Sequence, residues 1–210
     1  TGGQWRPALT PRVPVRALFA SAATFPSLTS LFPLPLGNAT AINLAAPLFL
    51  TLFAILVLRE HVDGRRWSLI GLGFAGVLLV VQPRAEGFNG YAALCVLATL
   101  FHASRDLLTR KEPAHVPSLL ITWTTAAMVT LLSGLRTLAA PWKPMPALAM
   151  GQLAGPAPCL APAHPLPTLS MRAGDMSVVG PFRYSGLLVA LLLGYLLWGD
   201  VPNALAWAGI

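Results

Sequence analysis

Apolar residues arrive in runs of roughly 20, separated by short polar loops, and this block pattern organises the chain. The run inside Gly174 to Asp200 sets the scale. From Met176 to Trp198 it is nearly unbroken apolar sequence, about 34 Å of helix, enough to cross a bilayer core of about 30 Å. Gly37 to Leu58 is a second run of this kind, and Trp67 to Val81 is a shorter one opened by an aromatic ring suited to the membrane interface. Tyr91 to Leu108 and Val116 to Leu135 complete the regular set. Gly71, Gly73, Ala75 and Gly76 predict that a neighbouring helix approaches the span after Trp67 closely.

Two stretches depart from the pattern. Ala17 to Leu36 is apolar enough to enter a membrane, but Pro26, Pro33 and Pro35 each remove a backbone donor and disfavour a straight helix. The polar, proline-containing segment from Thr1 to Arg16 is expected to be a cytoplasmic loop leading into it. Between Ala147 and Ser170, Pro156, Pro158, Pro162, Pro165 and Pro167 crowd a region where another span would fall. At about 3 kcal/mol per internal proline, no continuous crossing helix is expected there.

Composition agrees with the pattern. Of 210 residues, 55% are hydrophobic and only 10% charged, with a mean hydropathy of +0.67, which places the chain among all-α polytopic membrane proteins. The net charge of +7 does not indicate nucleic acid, because the basic residues are dispersed between apolar runs without an aromatic-basic face. They fit the positive-inside rule instead. If each span crosses, Arg6, Arg12, Arg16, Arg59, Arg65, Arg66, Arg105, Arg110, Lys111 and Arg172 gather on the cytoplasmic side, against Arg84, Arg136 and Lys143 outside. Cys95 and Cys159 lack metal or redox spacing. No zinc, phosphate-loop or nucleophile-elbow motif is present, so neither enzyme activity nor a metal or other cofactor is expected. The chain lacks an initiating Met and stops at Ile210 just after an apparent helix start, and it reads as an internal piece of a longer protein.

Sliding the sequence on itself by 140 positions places Glu60 on Asp200, Trp67 on Trp207, the span ending at Leu58 on the one ending at Trp198, and Asn43 on Arg183. About five spans separate the copies, and an odd number of crossings inverts one copy relative to the other. Inverted repeats of this kind surround midplane sites in transporters.

Four phrases carry a family resemblance: LPLGNATAINLAAPLFLTLFAILVLRE, RRWSLIGLGFAGVLLVVQP, RDLLTRK and MRAGDMSVVGPFRYSGLLVALLLGYLLWGD. They resemble the EamA-like family of the drug/metabolite transporter superfamily. The resemblance implies a ten-helix bundle of two inverted five-helix repeats in the bacterial inner membrane, with about six or seven spans in this chain. It divides the sequence into residues 16–82, the later part of a first repeat, and 89–210, a second repeat lacking its last helix and carrying an irregular stretch at 155–167. The family would have an apolar helix at that stretch, so the prolines put transport competence in question.

Several residues are candidates for function. Arg183 is a charge inside an apolar span and costs on the order of 2.5 kcal/mol or more unless partnered, so it reads either as a cation facing a substrate cavity or as a structural arginine bonded within the protein. Tyr184, Asn43 and Thr40 are further cavity candidates, weighed against packing and helix-bridging roles. His102 and Asp106, spaced i, i+4, share a helix face and permit a proton relay; the alternative is a charged helix end with Arg105 and Asp106 paired or solvated. Glu60 and Asp200 read as interface residues. The leading expectation is a permease that carries a small metabolite by alternating access, with the lipid bilayer and a small-molecule substrate as partners. A homodimer stays open. The competing readings are a non-transporting membrane scaffold subunit, with a sealed bundle and Arg183 paired internally, and a nonfunctional truncated remnant.

Overall fold

The computed structural model describes residues 12–34, 36–83, 90–138, 146–155, 157–199 and 201–210. The expectations for Arg6, Arg84, Lys143 and Asp200 fall outside the described residues. Every described element is helical: α1 (Arg12–Leu31), α2 (Leu36–Asn43), α3 (Ala46–Phe53) continued by a π-helical turn (Ala54–Leu58), α4 (Gly64–Val81), α5 (Gly90–Lys111), α6 (Ser118–Leu138), α7 (Ala147–Ala154), α8 (Ala157–Ala163), α9 (Pro165–Ala173), α10 (Met176–Val179), a 3₁₀ turn (Gly180–Tyr184), α11 (Ser185–Trp198) and α12 (Ala204–Gly209). Five stretches are long and apolar enough to cross a membrane: Gly37–Leu58, Gly64–Val81, Gly90–Lys111, Ser118–Leu138 and Met176–Leu196. The all-α membrane architecture read from the apolar runs is therefore the observed one.

The bundle is built around α5, which packs on α1, α2, α3 and α9. Its buried positions are Ala92, Cys95, Ala98, Thr99, Ala103, Asp106 and Thr109. These small residues recur at helical spacing and let neighbouring backbones come close, which is how membrane helices associate without a hydrophobic drive between them. Leu34, Ala39 and Ile42 close over Ala92 and Cys95, whereas Leu50, Ala54, Met171 and Met176 close over Ala103. Large apolar side chains such as Leu72, Trp123, Leu131 and Leu192 point outward, as expected of a lipid-facing surface. The hydroxyls of Thr51, Thr109, Thr122 and Thr125 donate to carbonyls four residues back, satisfying their protons within their own helices.

Two expectations need correction. Residues 12–16 are not part of a loop: α1 begins at Arg12, runs through Pro26 and ends at Leu31, followed by a turn that contains Pro33. Its buried face, Val13, Arg16, Ala17, Ala20 and Ala23, packs on α5 and α6, so Arg16 lies inside the bundle. Neither of the two strongest apolar runs is one uniform α-helix. The first is broken by a turn at Leu44–Ala45, just before Pro47, and the second tightens into the 3₁₀ turn that contains Pro181. The proline-crowded stretch resolves into three short helices, α7, α8 and α9, the last of which buries Thr168 and Met171.

The small-residue stripe of α4 works at two of its glycines. A methyl group at Gly76 would lie 2.5 Å from the carbonyl oxygen of Gly209 in α12, and one at Gly73 would lie 2.6 Å from the Tyr184 ring, whereas Gly71 faces open space.

One end of the bundle is basic. Arg12 donates to the Lys111 carbonyl oxygen, Arg110 to that of Arg172, and Arg172 to those of Val116 and Pro113. Arg66 and Arg110 each approach Asp175 at 3.8 Å.

Candidate functional site

The 3₁₀ turn determines where Arg183 goes. Gly180 packs against Pro47 of α3; a Cβ there would lie 3.6 Å from the Pro47 Cα. The two irregular helices thus meet at their irregular points. From this turn Arg183 reaches α5, where its Nη2 donates to Oδ2 of Asp106. Asp106 is 2% exposed, and its other oxygen, Oδ1, accepts from Nε and Nη2 of Arg105 at 2.9 and 2.7 Å. A buried carboxylate is sustained only by such charged donors. Arg105 is therefore not a loop cation counted toward membrane orientation but part of a three-member ionic cluster. Asp106 and Arg105 are paired, as in the alternative to a proton relay; His102 shares their helix, one turn earlier, without a hydrogen bond to Asp106.

Arg16 extends the cluster from the opposite side. At 4% exposure, its guanidinium donates to Thr109 Oγ1 of α5, to Thr125 Oγ1 and the Ile121 carbonyl of α6, and to Thr168 Oγ1 of α9. Thr109 and Thr125 already donate to Arg105 and Ile121 within their own helices, which turns their lone pairs toward Arg16. Four hydrogen bonds fix the guanidinium, and none of its partners is a carboxylate.

Between these groups lies a cavity of about 250 Å³. Arg16, Arg105 and Asp106 line it, together with Thr122, Thr125, Thr168 and His164, and Leu160, Ala163 and Pro167 form its apolar wall. The proline-crowded stretch thus supplies one side of the chamber. Arg16, the threonines and His164 are absent from the sequence-based candidates. For Arg16 the available signal was its place on the Val13, Ala17, Ala20 and Ala23 face.

The remaining candidates lie apart. Asn43 Oδ1 accepts from Thr99 Oγ1 at 3.2 Å, two turns of α5 before Asp106, and Thr40 sits half-buried one turn before Asn43. Asn43 and Arg183, paired by the 140-residue offset, therefore both dock on the buried face of α5. Tyr184 faces away from the cluster, into a groove of about 410 Å³ with Leu69, Gly73 and Val77 of α4, and its buried hydroxyl has no hydrogen-bond partner. Glu60 accepts from the backbone N–H groups of Met176 and Ser177 and so caps the chain leading to the 3₁₀ turn. Among the described residues, no three His, Cys, Asp or Glu side chains are grouped to hold a metal.

Apolar helices long enough to cross a membrane, with a partly ionic cavity among them, define the chain as a polytopic α-helical membrane protein. Residues 4–82 match the EamA-like transporter family. The chain is 30% identical to a riboflavin transporter of Rhizobium johnstonii over 92% of this chain and 64% of that protein. It is 31% identical to a riboflavin transporter of Vibrio cholerae, over 85% of this chain and 60% of the other, and 27% identical to an S-adenosylmethionine uptake transporter of Rickettsia bellii, over 80% and 58%. The chain thus spans less than two thirds of the length of these relatives. It also superposes on a crystal structure with a TM-score of 0.79, covering 98% of this chain and 74% of the other at 18% identity, a likeness of fold.

Proposed function

We propose that the chain is a permease, or the greater part of one, that carries a small metabolite across the bacterial inner membrane by alternating access through the cavity lined by Arg16, Arg105 and Asp106. The observation that carries this reading is a cavity of about 250 Å³ whose wall holds the buried Arg16 and Asp106 in an otherwise apolar bundle. Buried charges in a membrane are costly and mark substrate or ion pathways. The broken helices support it as well: transporters form midplane sites where discontinuous helices meet, and here the breaks meet at Pro47 and Gly180. In this reading residues 16–82 and 89–210 are parts of two inverted repeats and the basic end of the bundle faces the cytoplasm, with Asn43 docked on α5 two turns from Asp106 and outside the chamber. The relatives named as riboflavin and S-adenosylmethionine transporters favour a ring-bearing, amphipathic solute.

The scaffold reading has one observation in its favour, the pairing of Arg183 within the protein. The cavity opposes it. Reconstitution of the chain into vesicles, followed by uptake of labelled riboflavin and S-adenosylmethionine, tests the proposal. Uptake above that of empty vesicles is expected, reduced in an Arg183→Ala variant. Uptake equal to that of empty vesicles for both solutes favours the scaffold, and equal transport by the variant removes Arg183 from the site.

A further inference from the structure

The charges around the cavity do not balance. Asp106 is already engaged by Arg105 on one oxygen and Arg183 on the other. Arg16 is held by three threonine hydroxyls and a carbonyl, all neutral. Glu112, at the end of α5, lies within electrostatic reach of Arg16, but it is shared with Arg12 and Arg172, and neither of its oxygens accepts a hydrogen bond. Even with Glu112 counted in full, the three cations Arg16, Arg105 and Arg183 outnumber the two carboxylates. Arg105 and Arg183 are partly exposed, but Arg16 is buried without a carboxylate partner, and an uncompensated buried charge is expensive.

We infer that the cavity is a subsite for an anionic group, a carboxylate or phosphate carried on a small solute, and that Arg16 is the residue that reads it. Three features fit that ligand class. Of the five N–H donors of the Arg16 guanidinium four are engaged, which leaves one at Nη2 for a charge-assisted hydrogen bond to an oxyanion. Arg16 is immobilised before the ligand arrives, so little conformational entropy is lost on binding. Thr122, Thr125 and Thr168 frame the same wall with oxygens, whereas Leu160, Ala163 and Pro167 supply an apolar face for the rest of the solute. A volume of about 250 Å³ suits a single-ring molecule. This inference rests on the transport reading for its biological sense, but the binding it asserts is independent of transport.

The test uses two probes of equal shape and different charge, nicotinate and nicotinamide, titrated against the whole chain in lipid nanodiscs with binding read by calorimetry. Nicotinate is expected to bind at least about tenfold more tightly than nicotinamide. Arg16→Gln is expected to erase that preference, and Arg16→Lys, which keeps the charge and guards against a folding artefact, to retain part of it. Equal affinity for the two probes, or no binding of either at millimolar concentration, overturns the inference. Vesicle uptake of riboflavin that nicotinate does not inhibit leaves the transport reading standing while the anion subsite fails. Nicotinate binding without uptake of any solute does the reverse.

Discussion

Arg183 and Asp106, 77 residues apart in sequence, form an ion pair that ties the 3₁₀ turn between α10 and α11 to the buried face of α5. The pair is asymmetric. Asp106 has a second guanidinium, Arg105, on its other oxygen, whereas Asp106 is the only carboxylate paired with either arginine among the described residues. Removing one member of a buried pair costs about 3–5 kcal/mol because it strands the other. Asp106→Asn strands two cations, and Arg183→Gln strands none, since Arg105 remains on Asp106. Asp106→Asn is therefore expected to lower the unfolding temperature in detergent well beyond Arg183→Gln, and adding Arg183→Gln to Asp106→Asn is expected to restore part of the loss. Equal and additive losses would disprove this ordering.

Helix α4 and helix α12 touch through glycine. A methyl group on Gly76 would press on the Gly209 carbonyl oxygen, which belongs to backbone and cannot rotate away. Gly76→Ala is expected to destabilise the protein by about 1–3 kcal/mol, the usual cost of overpacking. Gly71, one and a half turns earlier on the same helix, has nothing within 4 Å of a new methyl, so Gly71→Ala serves as the control and is expected to change stability by less than about 1 kcal/mol. Thermal unfolding of the two variants side by side checks the contrast.

Much of this architecture was legible as runs of apolar residues, because the thickness of a bilayer imposes a length that hydropathy reports directly. What hydropathy does not report is backbone continuity. The run from Gly37 to Leu58 looks uniform, yet it breaks at Leu44–Ala45, and proline alone did not predict where, since α1 tolerates Pro26 without interruption. The site was half legible. Arg183 stood out because it is a lone charge in a long span, and Asp106 because it shares a face with His102. Arg16 was hidden because it lies close to a polar segment, and its burial is decided by how α1 packs on α5 and α6 rather than by local sequence. The threonines that hold it are ordinary residues of apolar helices until their lone pairs are seen to converge.

Glu60 acts across the bundle. Its carboxylate accepts from the backbone nitrogens of Met176 and Ser177 at 3.3 and 3.4 Å and from the Ser177 hydroxyl at 3.3 Å, the groups left open where the last apolar run begins. Glu60→Ala is expected to cost about 0.5–2 kcal/mol, as loss of a cap does, and to raise hydrogen exchange at Met176 and Ser177 more than in α5. Uniform exchange across both helices would assign Glu60 a merely superficial role.

Glu112 makes the pH dependence of stability predictable in sign. It is 6% exposed, and neither carboxylate oxygen has a hydrogen-bond partner. Burial pushes its pKa above the ordinary 4.5, against the opposing pull of Arg12, Arg16 and Arg172. An acid whose folded pKa is raised holds its proton more tightly in the folded than in the unfolded state, so its contribution to stability is lost as pH rises from the ordinary value through the folded one. Glu112→Gln removes that slope while keeping the shape. The variant is expected to gain on the wild type as the pH is raised from the ordinary carboxylate value through the raised one and to level off above it, and the difference in unfolding temperature between the two, measured at each pH, isolates Glu112 from every other titrating group. A difference that stays constant or shrinks across that range would show that the neighbouring arginines, rather than burial, govern this carboxylate.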